Sequence, residues 1–289
     1  PGKEYLVEAR LLPVARDTGL CLMGTLETAI VLEPYADYMI ASEEVEPGIG
    51  WDYTGWITAL SQNTSIPTTN LGKKLIDDYI LDVRTRIPKS QATLALVDLA
   101  ELSGTVPGSF RAFAASTGDL IDQDQYQTVS DARVEAKEFA RSSQLNQIDL
   151  IHFAENLGTP EARTFADALR GCIKYNRTTN NITNANGLSI YFPYGSLTRL
   201  NAMLRTYDRI GLEDEYSECI RSFASLSAGG QVVSSGSGTG GLLDILLGGQ
   251  PGEGPTTPSV TDLLSQFLAA GDFSSITGLT DDSVGWLDV

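Results

Sequence analysis

Apolar positions recur at helical spacing over residues 25–33, where Leu26, Ala29 and Ile30 share a face behind a Thr25 cap. Pro34 closes that helix. The run Tyr38-Met39-Ile40-Ala41-Ser42 has the continuous apolar character of a buried strand. It empties into an acidic loop carrying Glu43, Glu44, Glu46, Gly48, Gly50 and Asp52. Further along, residues 56–62 and 70–84 are expected to be helical, the second through Leu71, Leu75, Ile76 and Tyr79. Residues 92–99 form a strand candidate, followed by a loop and a helix near 107–116. The pattern predicts helices over 128–143, 149–157 and 160–175, then a strand at 187–193 ended by Pro193. Two last helices, 197–209 and 212–224, are separated by Gly211, a natural C-cap. Strands alternating with helices point to an α/β layer fold with a mainly parallel sheet.

Composition changes sharply after residue 227. Residues 228–260 are rich in Gly, Ser, Pro and Thr, too poor in apolar surface to order themselves. Two apolar islands interrupt this tail, at 242–247 and 260–270, and read as short amphipathic helices. The chain thus divides into a globular region, 1–227, and a Gly/Ser/Pro-rich C-terminal tail, 228–289. No apolar run approaches the ~20 residues of a membrane span.

Over 289 residues, 37 acids against 20 bases leave a formal charge of −17, which argues against nucleic acid as a partner and is compatible with cationic substrates, though such a charge more often just serves solubility. Three scattered cysteines, Cys21, Cys172 and Cys219, make neither a disulfide framework nor a zinc cage. Cys172 and Cys219 fall in helices and are expected in the core, although a bridge between them is open from sequence alone. Cys21 precedes a helix N-terminus, where backbone N–H groups favour a thiolate. With an ordinary thiol pKa of ~8.5 it still needs a base. The single histidine, His152, sits in a helix among apolar neighbours and is expected to have a structural or surface role. The chain opens on Pro1 without a signal-peptide pattern, so a processed or truncated start is expected.

Several blocks resemble the clostripain family of cysteine peptidases: residues 21–29, Ala36-Asp37-Tyr38, residues 40–44, 149–154, Tyr175-Asn176-Arg177 and 185–193. The resemblance implies a caspase-like α/β/α sandwich and a secreted or cell-envelope bacterial endopeptidase with Cys21 as nucleophile, cleaving after Arg or Lys. It also implies an upstream light chain or segment that carries the catalytic histidine, the present chain being similar to the heavy one. Calcium dependence occurs in the family, though no calcium loop stands out here; no other cofactor is expected. For a cationic substrate side chain the candidate partners are Asp17, Glu43, Glu44, Glu46 and Asp52. The family's Asp-x-Cys is absent, since Gly19 stands two before Cys21. That departure keeps an alternative open, a catalytically inactive caspase-like binding or envelope scaffold.

Overall fold

Strand β2 (Tyr38–Ala41) lies at the centre of the chain's larger sheet, with Met39 and Ala41 on one face and Ile40 on the other. The structure is a computed structural model, and it describes residues 6–8, 22–194 and 197–228. Asp17, Cys21 and nearly all of the C-terminal tail lie outside the described residues. The larger sheet has the order β1 (Leu6–Glu8), β2, β3 (Thr93–Asp98), β6 (Ile173–Thr178). A smaller one runs β4 (Glu138–Phe139), β5 (Gln147–Asp149), β7 (Ser189–Tyr191).

The short segment before helix α1 (Leu26–Leu32) joins the two sheets. Gly24 N donates to Ser42 O at 2.8 Å, beyond the end of β2, and Ser189 N donates to Gly24 O at 2.8 Å on the other side. Thr25 pairs with Ser189 in a parallel bridge and caps α1, accepting Thr28 N at 3.0 Å. Strand alternation sends side chains to opposite faces, and each face is covered. On one side Ile40, Leu94 and Leu96 meet Leu75, Ile76, Tyr79 and Val83 of α3 (Thr68–Arg86). On the other, Met39, Ala41 and Val97 join a larger cluster with α1 and α4 (Leu99–Asp122). Helices α6 (Leu150–Leu157), α7 (Pro160–Cys172), α8 (Leu197–Ile210) and α9 (Asp214–Ala228) complete that cluster. The result is a mixed α/β architecture of helix, sheet and helix.

The expectation of a mainly parallel sheet needs correction. Among the named strand pairs only β1–β2 is parallel; β2–β3, β3–β6, β4–β5 and β5–β7 are antiparallel. A single crossover helix returns a chain to the end it started from and yields a parallel strand. Between β2 and β3 the chain instead uses two packed helices, α2 (Tyr53–Gln62) and α3. It therefore comes back at the end it left, where Thr93 Oγ1 lies 3.0 Å from Ser42 Oγ.

Three element boundaries also differ. Helix α4 runs unbroken through Pro107, because Gly104, Pro107 and Gly108 face outward while Leu102, Val106, Phe110 and Phe113 keep the buried stripe. Its lost N–H leaves a carbonyl that water can reach. Helix α5 (Tyr126–Glu135) stops well before residue 143, since Lys137 N and Ala140 N are claimed by distant side chains. Helix α7 ends at Cys172, and the following residues become β6, paired to β3.

Candidate active site

Leu22, the residue after Cys21, is buried in a satellite cluster with Phe139, Ala140, Leu145, Ile182 and Ala185, against which Val45 packs. Three loops thus converge on the segment that begins at Leu22: 42–46 after β2, 139–145 after β4, and 182–187 before β7. Gly24 fixes this convergence. A Cβ there would stand 2.8 Å from Ser42 C and 2.9 Å from both Glu43 N and Ser42 O, all backbone atoms that cannot step aside.

The 42–46 loop is held from inside. Thr93 Oγ1 accepts Glu43 N at 3.0 Å, and Ser42 Oγ donates to Glu44 O at 2.8 Å. Glu43, Glu44 and Glu46 are buried, not the solvated loop charges that their setting suggests. Glu43 Oε2 accepts Gly187 N at 2.7 Å. Glu44 Oε1 accepts Val45 N at 2.9 Å and Ala140 N at 3.2 Å, stapling the loop to the segment after β4. Glu46 Oε2 accepts Trp51 Nε1 at 3.1 Å. Asp52 is exposed, and its Oδ1 caps α2 by accepting Thr54 N at 3.1 Å.

Sequence reasoning passed over Asp149, which lies behind these loops at the start of α6. Its Oδ1 accepts His152 N at 2.7 Å and Asn186 Nδ2 at 2.9 Å, while Oδ2 accepts Asn186 N at 2.5 Å. Burial raises the pKa of Asp149, and it raises that of Glu43 far more, helped by the neighbouring Asp149 charge. The signal was present as an Asp N-cap before an apolar helix, but a second role in gripping residue 186 has no local signature.

His152 is half-buried, and its Nδ1 accepts the backbone N–H of Lys137 at 2.9 Å. That nitrogen is thereby engaged by the chain's own backbone. Among the described residues no group of three ligating side chains gathers that could hold a metal. The buried Glu43–Asp149 pair offers one oxygen without an N–H or O–H donor, Glu43 Oε1, against the six to eight oxygens that calcium takes. The pair does not fit that ion.

Cys172 and Cys219 are free and buried, Cys172 Sγ resting 3.1 Å from Leu169 O. Burial pushes both thiols up to about 12. Neither should react with iodoacetamide in the native protein at pH 8, and both should react once denaturant opens the core. Native-state alkylation of either, read by peptide mass mapping, would contradict this packing.

Residues 22–25 are thus pinned between the two sheets of an α/β body and ringed by three loops. A family model described as the clostripain family matches residues 18–227, and the chain belongs to that family of cysteine peptidases. Peptide or protein is accordingly its substrate class. Among solved structures, a cysteine protease of B. fragilis is 18% identical, covering 76% of this chain and 89% of its own, with a TM-score of 0.49. A clostripain from Bacteroides thetaiotaomicron, in complex with a peptide inhibitor, is 14% identical over 75% of this chain and 87% of its own, with a TM-score of 0.48. A secreted C11 cysteine protease from the same organism is 19% identical over 69% and 56%, at a TM-score of 0.44. No curated protein sequence matches the chain.

Proposed function

We propose that the chain is the nucleophile-bearing part of a secreted or envelope cysteine endopeptidase of caspase-like fold, cleaving after Arg or Lys. The Cys21 thiolate attacks the scissile carbonyl carbon, the C–N bond breaks, and the amine leaves with a proton from a histidine. Water then hydrolyses the thioester and returns the thiol. The histidine comes from a light chain or segment upstream, because the Nδ1 of His152 is already occupied by Lys137 N. The observation that carries this reading is the anchoring of Leu22–Thr25 between the two sheets, inside the stretch that matches the family. A cationic side chain is received by Asp52, whose carboxylate is exposed at the head of α2, or by Asp17. Glu43, Glu44 and Glu46 shape that rim from below, their carboxyls being turned to the chain's own donors.

A thiol-reactive peptidyl-Lys or peptidyl-Arg probe tests the reading on the full-length, processed protein. Labelling is expected at Cys21, abolished in Cys21→Ala and retained in His152→Ala. Loss of labelling in a folded His152→Ala variant would make His152 the base. An unlabelled wild type would favour the inactive scaffold.

A further inference from the structure

Glu43 and Asp149 lie together in the interior, each buried and each holding one of two adjacent backbone N–H groups. Asp149 sits at the β5–α6 junction and spends its oxygens on three N–H donors, two from Asn186 and one from His152. Glu43, at the end of β2, receives one, from Gly187 N. Its other oxygen, Oε1, is buried with no N–H or O–H donor. Two buried carboxylates so placed repel strongly unless one is protonated and donates to the other. The donors decide which: an ionised carboxylate accepts hydrogen bonds only, so the acid with three N–H partners holds the charge and the one with a single partner holds the proton. Asp149 Oδ2 and Glu43 Oε2 accept the backbone N–H groups of the adjacent residues Asn186 and Gly187, which brings the two carboxyls side by side.

The pair fastens two of the loops that ring the nucleophile segment. Asn186 and Gly187 are held by it on one side, and the 42–46 loop on the other. Gly187 has φ +118, and a Cβ there would reach within 2.9 Å of Ala95 Cβ, so this loop is tightly seated in the sheet. Glu43 N in turn lies against Gly24, three residues after Cys21.

We propose that Glu43 and Asp149 share one proton and act as positioning residues, Asp149 carrying the charge, locking the 185–187 loop to the 42–46 loop beside the nucleophile. The positioning role rests on the peptidase reading above; the shared proton does not. The other charged groups near the pair are Lys137, whose charge favours ionisation of Glu43, and Glu44, which is turned away toward Ala140 N. His152 meets the pair through its backbone N–H.

Glu43 keeps its proton in the folded state to a pH where the unfolded chain has lost it, so its contribution to stability is full below the ordinary carboxylate range. That contribution is lost as pH rises toward the raised folded value. Glutamine mimics a protonated glutamate: Glu43→Gln should remove this decline in a set of urea titrations across pH. Probe labelling of Cys21 supplies the second readout. Glu43→Ala should slow labelling about tenfold, roughly the worth of a hydrogen bond to a charged group, mainly by weakening reversible probe binding, and Glu43→Gln should restore it. Asp149→Asn should not restore what Asp149→Ala loses, because an amide cannot accept all three N–H groups while avoiding its own. Equal behaviour of Glu43→Gln and Asp149→Asn would overturn the assignment of the proton, as would an unchanged pH slope in Glu43→Gln. An unlabelled wild type overturns the positioning role together with the peptidase reading, whereas the stability slope decides the shared proton by itself.

Discussion

Gly24→Ala is expected to destabilise the protein by about 3 kcal/mol, the upper end of what overpacking costs, and to abolish labelling of Cys21. The added Cβ would lie under 3.0 Å from three backbone atoms of Ser42 and Glu43. Backbone cannot rotate away as a side-chain tip can, so relief requires the segment and β2 to separate. Separation stretches the 2.8 Å bond from Gly24 N to Ser42 O and moves Gly24 away from Ser189. Both sheets are joined there, so the effect reaches beyond the local clash. Urea denaturation gives the stability change, and the peptidyl probe gives the functional one. A Gly24→Ala protein of wild-type stability and labelling rate would show that the segment does not approach β2 so closely.

Much of the local structure could be read because its causes are local. Thr25 announces α1 by the hydroxyl that caps it, and Gly211 ends α8 at φ +69. Leu71, Leu75, Ile76 and Tyr79 mark α3 by their spacing alone. What escaped depends on partners far away in the chain. Strand β6 is a polar edge, Ile173–Thr178, that only β3 makes into a strand, and helix α7 yields to that pairing. The acidic loop shows the same limit at the site. Glu43 and Glu44 look like solvent-facing charges beside Pro47 and Gly48, yet Gly187 N and Ala140 N, which donate to them, are 144 and 96 residues distant. The antiparallel course of β3 likewise depends on α2 packing back on α3, which no pattern of apolar residues states. The resemblance that identified the family rests on blocks around these same positions, so the residues were visible before their contacts were.

Arg133→Ala should cost about 3–5 kcal/mol, the effect of stripping one partner from a buried ion pair. Arg133 is fully buried on α5. Its Nε donates to Phe192 O at 2.9 Å, and its Nη1 reaches Glu138 Oε2 at 3.3 Å. The guanidinium carbon also lies 4.5 Å from the centre of the Tyr194 ring. Alanine leaves the Phe192 carbonyl without its donor and Glu138, among the described residues, with only the exposed Arg141, at 3.5 Å, to face its charge. Lysine should recover little, because a single ammonium cannot serve a carbonyl, a carboxylate and a ring face at once. The double variant Arg133→Met, Glu138→Gln should regain part of the loss, since it removes the charge that the single variant strands. The same residue ties β4 to the end of β7, and β4 leads into the 139–145 loop that packs on Leu22. Weakened labelling of Cys21 should therefore accompany the stability loss. Equal stability of Arg133→Ala and the double variant would show that Glu138 carries no stranded charge, placing the whole cost on the Phe192 carbonyl and the lost packing.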